Sequence, residues 1–324
     1  MRLGLDIRGS VDDEQLTFGA QLGATDAIGG DACMPSNNGY FEFLELVVFR
    51  QRVESAGLRL FAIENMPWDW TDKIKLGLPG RDEQIDNFSK SLRNMGAAGI
   101  PAIGYNFRPP TVTGYGVRTS QSAPGRGGAK QTAFNYDLIK NHPFGDYGDV
   151  SAEQMWDNLE YFLKAVVPVA EEAGVRMAVH PDDPPAQSIG GVARILNSFD
   201  GLKRLTQIVD SEYNGLDFCQ GSMAVQQGDL HEAIRYFGRR NRIVYVHFRN
   251  VTGRFPQFSE SFIDEGYVDM AEAEAVRVYK EVGFDGPVIE DHVPTMIGDD
   301  PDKYRARAHA MGYTKALIDA IYGR

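Results

Sequence analysis

The stretch Val175-Arg-Met-Ala-Val179 runs straight into His180-Pro-Asp-Asp-Pro-Pro185. Its first half is a short β-type run. Prolines at the density of the second half continue neither a strand nor a helix, so the chain must turn just past the histidine. Three further runs have the same form: Gly215-Leu-Asp-Phe218 before Cys219, Ile243-Val-Tyr-Val246 before His247, and Pro287-Val-Ile-Glu290 before Asp291. Parallel barrels carry their functional residues at the carboxyl ends of strands, so these four ends predict one mouth lined by four side chains. Imidazole, thiolate and carboxylate are all donors to divalent transition metals, which makes His180, Cys219, His247 and Asp291 candidate ligands.

Working outward, four more strand-like runs lie upstream: Leu3–Ile7, Asp26–Gly29, Arg59–Ile63 and Ala102–Asn106. Amphipathic stretches such as Arg81 to Met95 and Met155 to Ala173 separate the runs, with apolar residues at three- and four-residue steps. Asp149 or Ser151 can cap the helix that begins near Ala152. Alternation of this kind predicts βαβ units, and eight of them close a (β/α)8 barrel. With 324 residues, 43% of them hydrophobic, the chain can fill such a barrel as one catalytic domain over 1–324, since the fold commonly takes about 250 residues plus insertions.

One segment breaks the rhythm. Between Pro109 and Tyr147, after the fourth strand, many glycines and prolines accompany Arg118, Arg126, Lys130 and the aromatics Tyr115, Phe134, Tyr136, Phe144 and Tyr147. A connection this long is expected to be an ordered lid over a bay for an anionic substrate. Thr252 to Asp269, after His247, is a second irregular stretch that can reach the mouth.

The net charge of −12 argues against a nucleic-acid or acidic-membrane surface. No run of about 18 apolar residues is present, and Met1-Arg-Leu-Gly-Leu-Asp enters a strand pattern without the regions of a signal peptide. Two cysteines do not make a stapled scaffold, so a cytoplasmic location is expected. Self-association into a homo-oligomer is compatible with the sequence and not specified by it.

Cys33 has no strand-end context and receives no role, and His142, His231 and His309 read as surface or structural residues. Arg249 falls two residues beyond His247, on the same side by strand alternation, where its fork can hold a carboxylate. His292 directly follows Asp291; if Asp291 faces a cation, His292 approaches the substrate from beside it as an acid or base.

The chain resembles mannonate dehydratase, a branch of the xylose-isomerase-like TIM barrels. The likeness is carried by Lys73-Ile-Lys-Leu-Gly-Leu-Pro-Gly-Arg81, Asn94-Met-Gly-Ala-Ala-Gly99, Tyr105-Asn-Phe107, Val117-Arg-Thr119, His180-Pro-Asp-Asp-Pro-Pro185, Phe218-Cys-Gln-Gly-Ser222, Val246-His-Phe-Arg-Asn250 and Asp291-His-Val-Pro294, in shared order. It implies dehydration of D-mannonate to 2-keto-3-deoxy-D-gluconate with a divalent ion, commonly manganese. It further implies that His180, Cys219, His247 and Asp291 are the metal ligands and that His292 is catalytic together with a tyrosine, for which Tyr304 is the nearest candidate and Tyr313 the other. Asn106, Arg118 and Arg249 are expected to bind the substrate. The mixed nitrogen, sulfur and oxygen set suits manganese, iron or zinc better than calcium or magnesium. The amino-terminal strand and residues 10–40 depart from the family pattern, which bears on the exact sugar acid more than on the reaction class.

Two other readings stand beside this one. A metal-dependent isomerase or epimerase of neutral sugars would use the same scaffold, but would not need Arg108, Arg118, Arg126 and Arg249 near the mouth. A non-catalytic sugar-acid binding protein would not need both Asp291 and His292.

Overall fold

A run that is apolar on both faces is stable only with a neighbour at each edge and cover on each side. The computed structural model describes residues 1–324 apart from 36, 109–116, 143–146, 227, 266–271, 300 and 324, and gives all eight predicted runs those surroundings. The barrel strands are β1 (Arg2–Ile7), β2 (Asp26–Gly30), β3 (Arg59–Glu64), β4 (Ala102–Tyr105), β7 (Arg176–Val179), β10 (Asn214–Cys219), β11 (Ile243–His247) and β14 (Pro287–Ile289). Among the described residues six more strands lie in the connections: β5 (Ser120–Pro124), β6 (Lys130–Asn135), β8 (Ser188–Ile189), β9 (Val192–Ala193), β12 (Val251–Arg254) and β13 (Gln257–Glu260). The barrel closes in the order β1-β14-β11-β10-β7-β4-β3-β2, and its paired neighbours are parallel.

Helices cover the strands. The helix Ala152–Ala173 starts at Ser151, whose hydroxyl accepts from the Gln154 N–H while the Gln154 side chain caps the Ser151 backbone. This reciprocal pair selects Ser151 over Asp149 as the cap. Met155, Leu159, Phe162, Leu163, Val166, Val167 and Ala170 form its buried stripe. Phe162 meets Phe88 of the helix Arg81–Ala97 edge-on, with ring centroids 5.0 Å apart.

The barrel interior is narrow, and one glycine decides what fits. Tyr245 of β11 projects across to β3, its hydroxyl 3.4 Å from Glu64 Oε2. A Cβ on Gly104 of β4 would overlap that hydroxyl and lie 2.9 Å from Glu64 Cγ. Any larger residue at 104 would displace both side chains.

The insertion after the fourth barrel strand is more regular than a loop. Its β5 and β6 join β13 and β12 in an antiparallel sheet of order β12-β13-β6-β5, pairing the excursion after β4 with the stretch after β11. Val117, Phe134, Val251 and Phe258 share a small apolar cluster of their own with Ala186, Ile189 and Val225. Tyr115 and Phe144, with 109–116 and 143–146, lie outside the described residues, as do 266–269 of the second irregular stretch. Among the described residues no helix is long and apolar enough to cross a membrane.

Candidate metal centre and active site

Cys219 and His247 are the last residues of β10 and β11, His180 follows β7 directly, and Asp291 stands two residues beyond β14. Each offers one donor atom, and the four atoms lie within 4.8 Å of one another. Asp291 reaches the group with φ at 51°, a left-handed backbone that non-glycine residues adopt at a cost and that recurs at functional sites. The four strand ends predicted from sequence therefore converge.

The ring nitrogens have distinct partners. His180 Nδ1 stands 2.6 Å from the Pro181 carbonyl, which leaves Nε2 for the cluster. His247 Nε2 lies 3.0 Å from Glu64 Oε2 and 3.2 Å from Asp217 Oδ2, while Nδ1 is 3.5 Å from Asp291 Oδ2. Cys219 Sγ receives the Ser222 hydroxyl at 3.2 Å and Arg249 Nε at 3.2 Å. His247 Nδ1 and Asp291 Oδ2 are both buried without a hydrogen-bond partner; Arg249 Nε is 2.9 Å from that oxygen but not along a hydrogen-bond direction. Two orphaned donors aimed into one group fit a bound cation.

Charge separation within the cluster is strong. Burial would push the Cys219 thiol up, but Arg249 and His180 outweigh it and hold the group well below the usual thiol range. Asp291 behaves alike: burial opposes its charge, and His292, His247 and Arg249 hold its carboxyl well below the ordinary range. Burial lowers the affinity of both imidazoles for a proton, yet the Cys219 thiolate raises His180 to about 9, and Asp217, Glu64 and Asp291 raise His247 well above its ordinary value. Protons on two imidazoles thus balance a thiolate and a carboxylate, the same donors a divalent ion would take.

The arginines sit differently from the expected open carboxylate clamp. Arg249 Nη1 donates to Glu260 at 2.6 and 2.7 Å, and Nη2 donates to Asp183 at 2.5 Å and Ser222 at 3.1 Å. Arg118 grips both oxygens of Asp183 at 2.9 and 2.8 Å and Glu260 at 2.6 Å. Two cations and two anions close a buried ring that ties the inserted sheet to the strand ends. The Nη groups of Arg118 and Arg249 are engaged by protein carboxylates. Asn106 is buried at the end of β4, accepting from Lys75 Nζ at 3.2 Å and donating to Asn65 at 2.9 Å.

His292 lies beside the four donors, its Nε2 3.5 Å from Asp291 Oδ1 and its side chain 41% exposed. One donor atom each of His292, Asp183 and Glu260 falls within a second group of 4.8 Å span. Enclosure lowers its proton affinity more than Asp291 and Glu260 raise it, so the imidazole sits below its ordinary value. Tyr304, the nearer candidate tyrosine, packs against an aromatic ring. It opens the helix Tyr304–Tyr322 with its ring 4.6 Å from Phe18, and burial with Asp12 and Glu14 nearby pushes its phenol up to about 12. Tyr313, in the same helix, packs half-buried against the main core.

Glu64 and Asp217 escaped the sequence reading, although a signal for each exists. Glu64 ends a strand as the ligands do, and Asp217 and Tyr245 stand two residues before Cys219 and His247, on the same faces.

Comparison with known proteins agrees with this geometry. The family model of D-mannonate dehydratase matches residues 9–144 and 137–323. The mannonate dehydratase of Streptococcus pneumoniae is 37% identical over 281 residues, 78% of this chain and 75% of its own. Mannonate dehydratase 2 of Halalkalibacterium halodurans is 32% identical over 319 residues, 90% of each chain. The crystal structure of mannonate dehydratase from Streptococcus suis superposes with a TM-score of 0.90 at 32% identity, covering 100% of this chain and 94% of that one. A xylose isomerase domain protein from Planctomyces limnophilus, at TM-score 0.64 and 15% identity, shares the fold alone. With matching model, relatives and barrel, the chain belongs to the D-mannonate dehydratase family of sugar-acid hydro-lyases.

Proposed function

We propose that this chain, as one catalytic domain, converts D-mannonate to 2-keto-3-deoxy-D-gluconate and water with a divalent ion, manganese by preference, held by His180, Cys219, His247 and Asp291. The observation that carries the reading is the meeting of four donors from four strand ends, two of them buried and unpartnered. When bound, the ion supplies positive charge where the carboxylate and C2 hydroxyl of a sugar acid can chelate and where an enediolate would develop.

The chain's own residues do the rest. The reaction removes the C2 proton, expels the C3 hydroxyl with an added proton as water, and lets the resulting enol become a ketone. His292 is exposed enough to reach the substrate and can take or give one of those protons. Asn106 keeps one amide N–H beyond the one it gives to Asn65, and that donor is the one proposed for a sugar hydroxyl. Arg118 and Arg249 act by holding the inserted sheet, through Asp183 and Glu260, against the strand ends. A thiolate ligand must stay reduced, and both cysteines are free, so the reading places the enzyme in a reducing cytoplasm.

The test is a panel of aldonic acids incubated with protein loaded with Mn2+, Fe2+ or Zn2+ and assayed for 2-keto-3-deoxy product. D-mannonate should be consumed fastest and with Mn2+. Turnover of another aldonic acid alone overturns the substrate assignment, and loss of activity in Mn2+ but not Zn2+ overturns the metal.

A further inference from the structure

His247 has one nitrogen toward the candidate metal cluster and one toward Glu64 and Asp217. Glu64 Oε2 and Asp217 Oδ2 stand 3.0 and 3.2 Å from Nε2. Glu64 Oε2 is the hydrogen-bond partner, while neither Asp217 oxygen has one, so a neutral His247 that donates to Glu64 carries its proton on Nε2. Its lone pair is then on Nδ1, the buried atom without a partner, 3.5 Å from Asp291.

We infer that Glu64 is a positioning residue for the candidate metal centre, fixing the His247 ring so that Nδ1 is the ligand atom. This rests on the metal reading above. His180 is fixed by a different device, the Pro181 carbonyl at its Nδ1, so the two histidines present opposite nitrogens. Glu64 is in turn held from below: Tyr245 reaches its carboxylate, and Gly104 leaves space for both side chains. These contacts cross the barrel from β11 to β3, strands that are not neighbours in the sheet. A side chain at the end of β3 therefore aims a candidate ligand carried by β11. Partners of this kind, one bond removed from a metal, change affinity by roughly 10–100-fold when deleted.

The experiment is Mn2+ titration of full-length wild type, Glu64→Leu and Glu64→Gln, followed by the electron paramagnetic resonance of the free ion, with thermal unfolding of each protein in EDTA. Glu64→Leu should bind Mn2+ about 10–100-fold more weakly. Glu64→Gln keeps an acceptor oxygen in place and should recover most of that loss, while unfolding in EDTA changes little in either. A Leu variant that binds as wild type does, or a Gln variant that loses as much as Leu, overturns the inference. Should the Leu variant not fold, anomalous diffraction from Mn2+-loaded wild-type crystals decides the point: density beside Nδ1 supports it, and density beside Nε2, between Glu64 and Asp217, overturns it. A wild type that binds no Mn2+, Fe2+ or Zn2+ refutes the metal reading itself, a different failure from an ion bound with Glu64 irrelevant.

Discussion

Single protons set the chemistry of the four donors. In the metal-free protein His180 holds its proton up to about pH 9, above the ordinary 6.5. Its charge therefore adds stability that is complete below pH 6.5 and disappears as pH rises through about 9. A metal needs the same nitrogen unprotonated, so binding must displace that proton, and the His247 proton with it, whereas Cys219 and Asp291 are already ionised. Metal affinity should rise by at least about tenfold per pH unit between 6 and 8. Titrations at pH 6, 7 and 8 with proton release followed by calorimetry check this, and an affinity flat over that range contradicts the protonation pattern. His292 separates chemistry from binding. His292→Asn should leave metal content nearly intact and lower turnover on D-mannonate by about 10²-fold or more, the scale of a positioned acid or base. Asp291→Asn should lose metal and activity together. Metal analysis beside steady-state rates distinguishes the two; a His292→Asn protein stripped of metal would instead make His292 a ligand.

At the scale of elements, the inserted sheet is ordered and pinned to the strand ends by a buried ring of charges. Arg118, Asp183, Arg249 and Glu260 are each at most 5% exposed, and removing one charge leaves its partners buried without it. Glu260→Gln should destabilise the protein by about 3–5 kcal/mol, read from urea unfolding, and should make the sheet more sensitive to limited proteolysis with or without substrate. Unchanged stability would mean that the ring is relaxed in solution. This sheet also shows where reading the sequence stops. The barrel strands are legible because each is an apolar run with its own turn signal, and the long helix because Ser151 and Gln154 mark its start. Strand β5, Ser120-Gln-Ser-Ala-Pro124, has no apolar alternation, and β6 gains its neighbour β13 more than a hundred residues later. The four candidate ligands could be found by their strand-end positions. The ring could not, because Arg118 looks like a free substrate clamp until carboxylates 65 and 142 residues away fold onto it.

For the whole molecule, the barrel must close between its first and last strands, and that seam is thin. β1 and β14 share two paired positions, Arg2 with Pro287 and Leu3 with Val288, as few as β11 and β14 share, against five between β2 and β3. Side chains supplement it. Arg307, fully buried in the helix Tyr304–Tyr322, pairs with Glu290 just past β14 and donates to the Asp6 carbonyl on β1, with Phe18 beneath its guanidinium. One arginine thus joins the last helix to both edges of the seam. Arg307→Ala should cost about 3–5 kcal/mol, because Glu290, itself 3% exposed, would be left charged and unpaired in the interior. The damage should reach the candidate metal centre, since Glu290 directly precedes Asp291 and moving it moves a candidate ligand. Arg307→Met combined with Glu290→Leu replaces the ion pair by apolar packing and should recover most of the stability. Urea unfolding of the metal-free proteins, paired with Mn2+ titration, reads both effects. A single variant within about 1 kcal/mol of wild type, judged against that buried-pair cost, would show that the paired strand positions alone close the barrel.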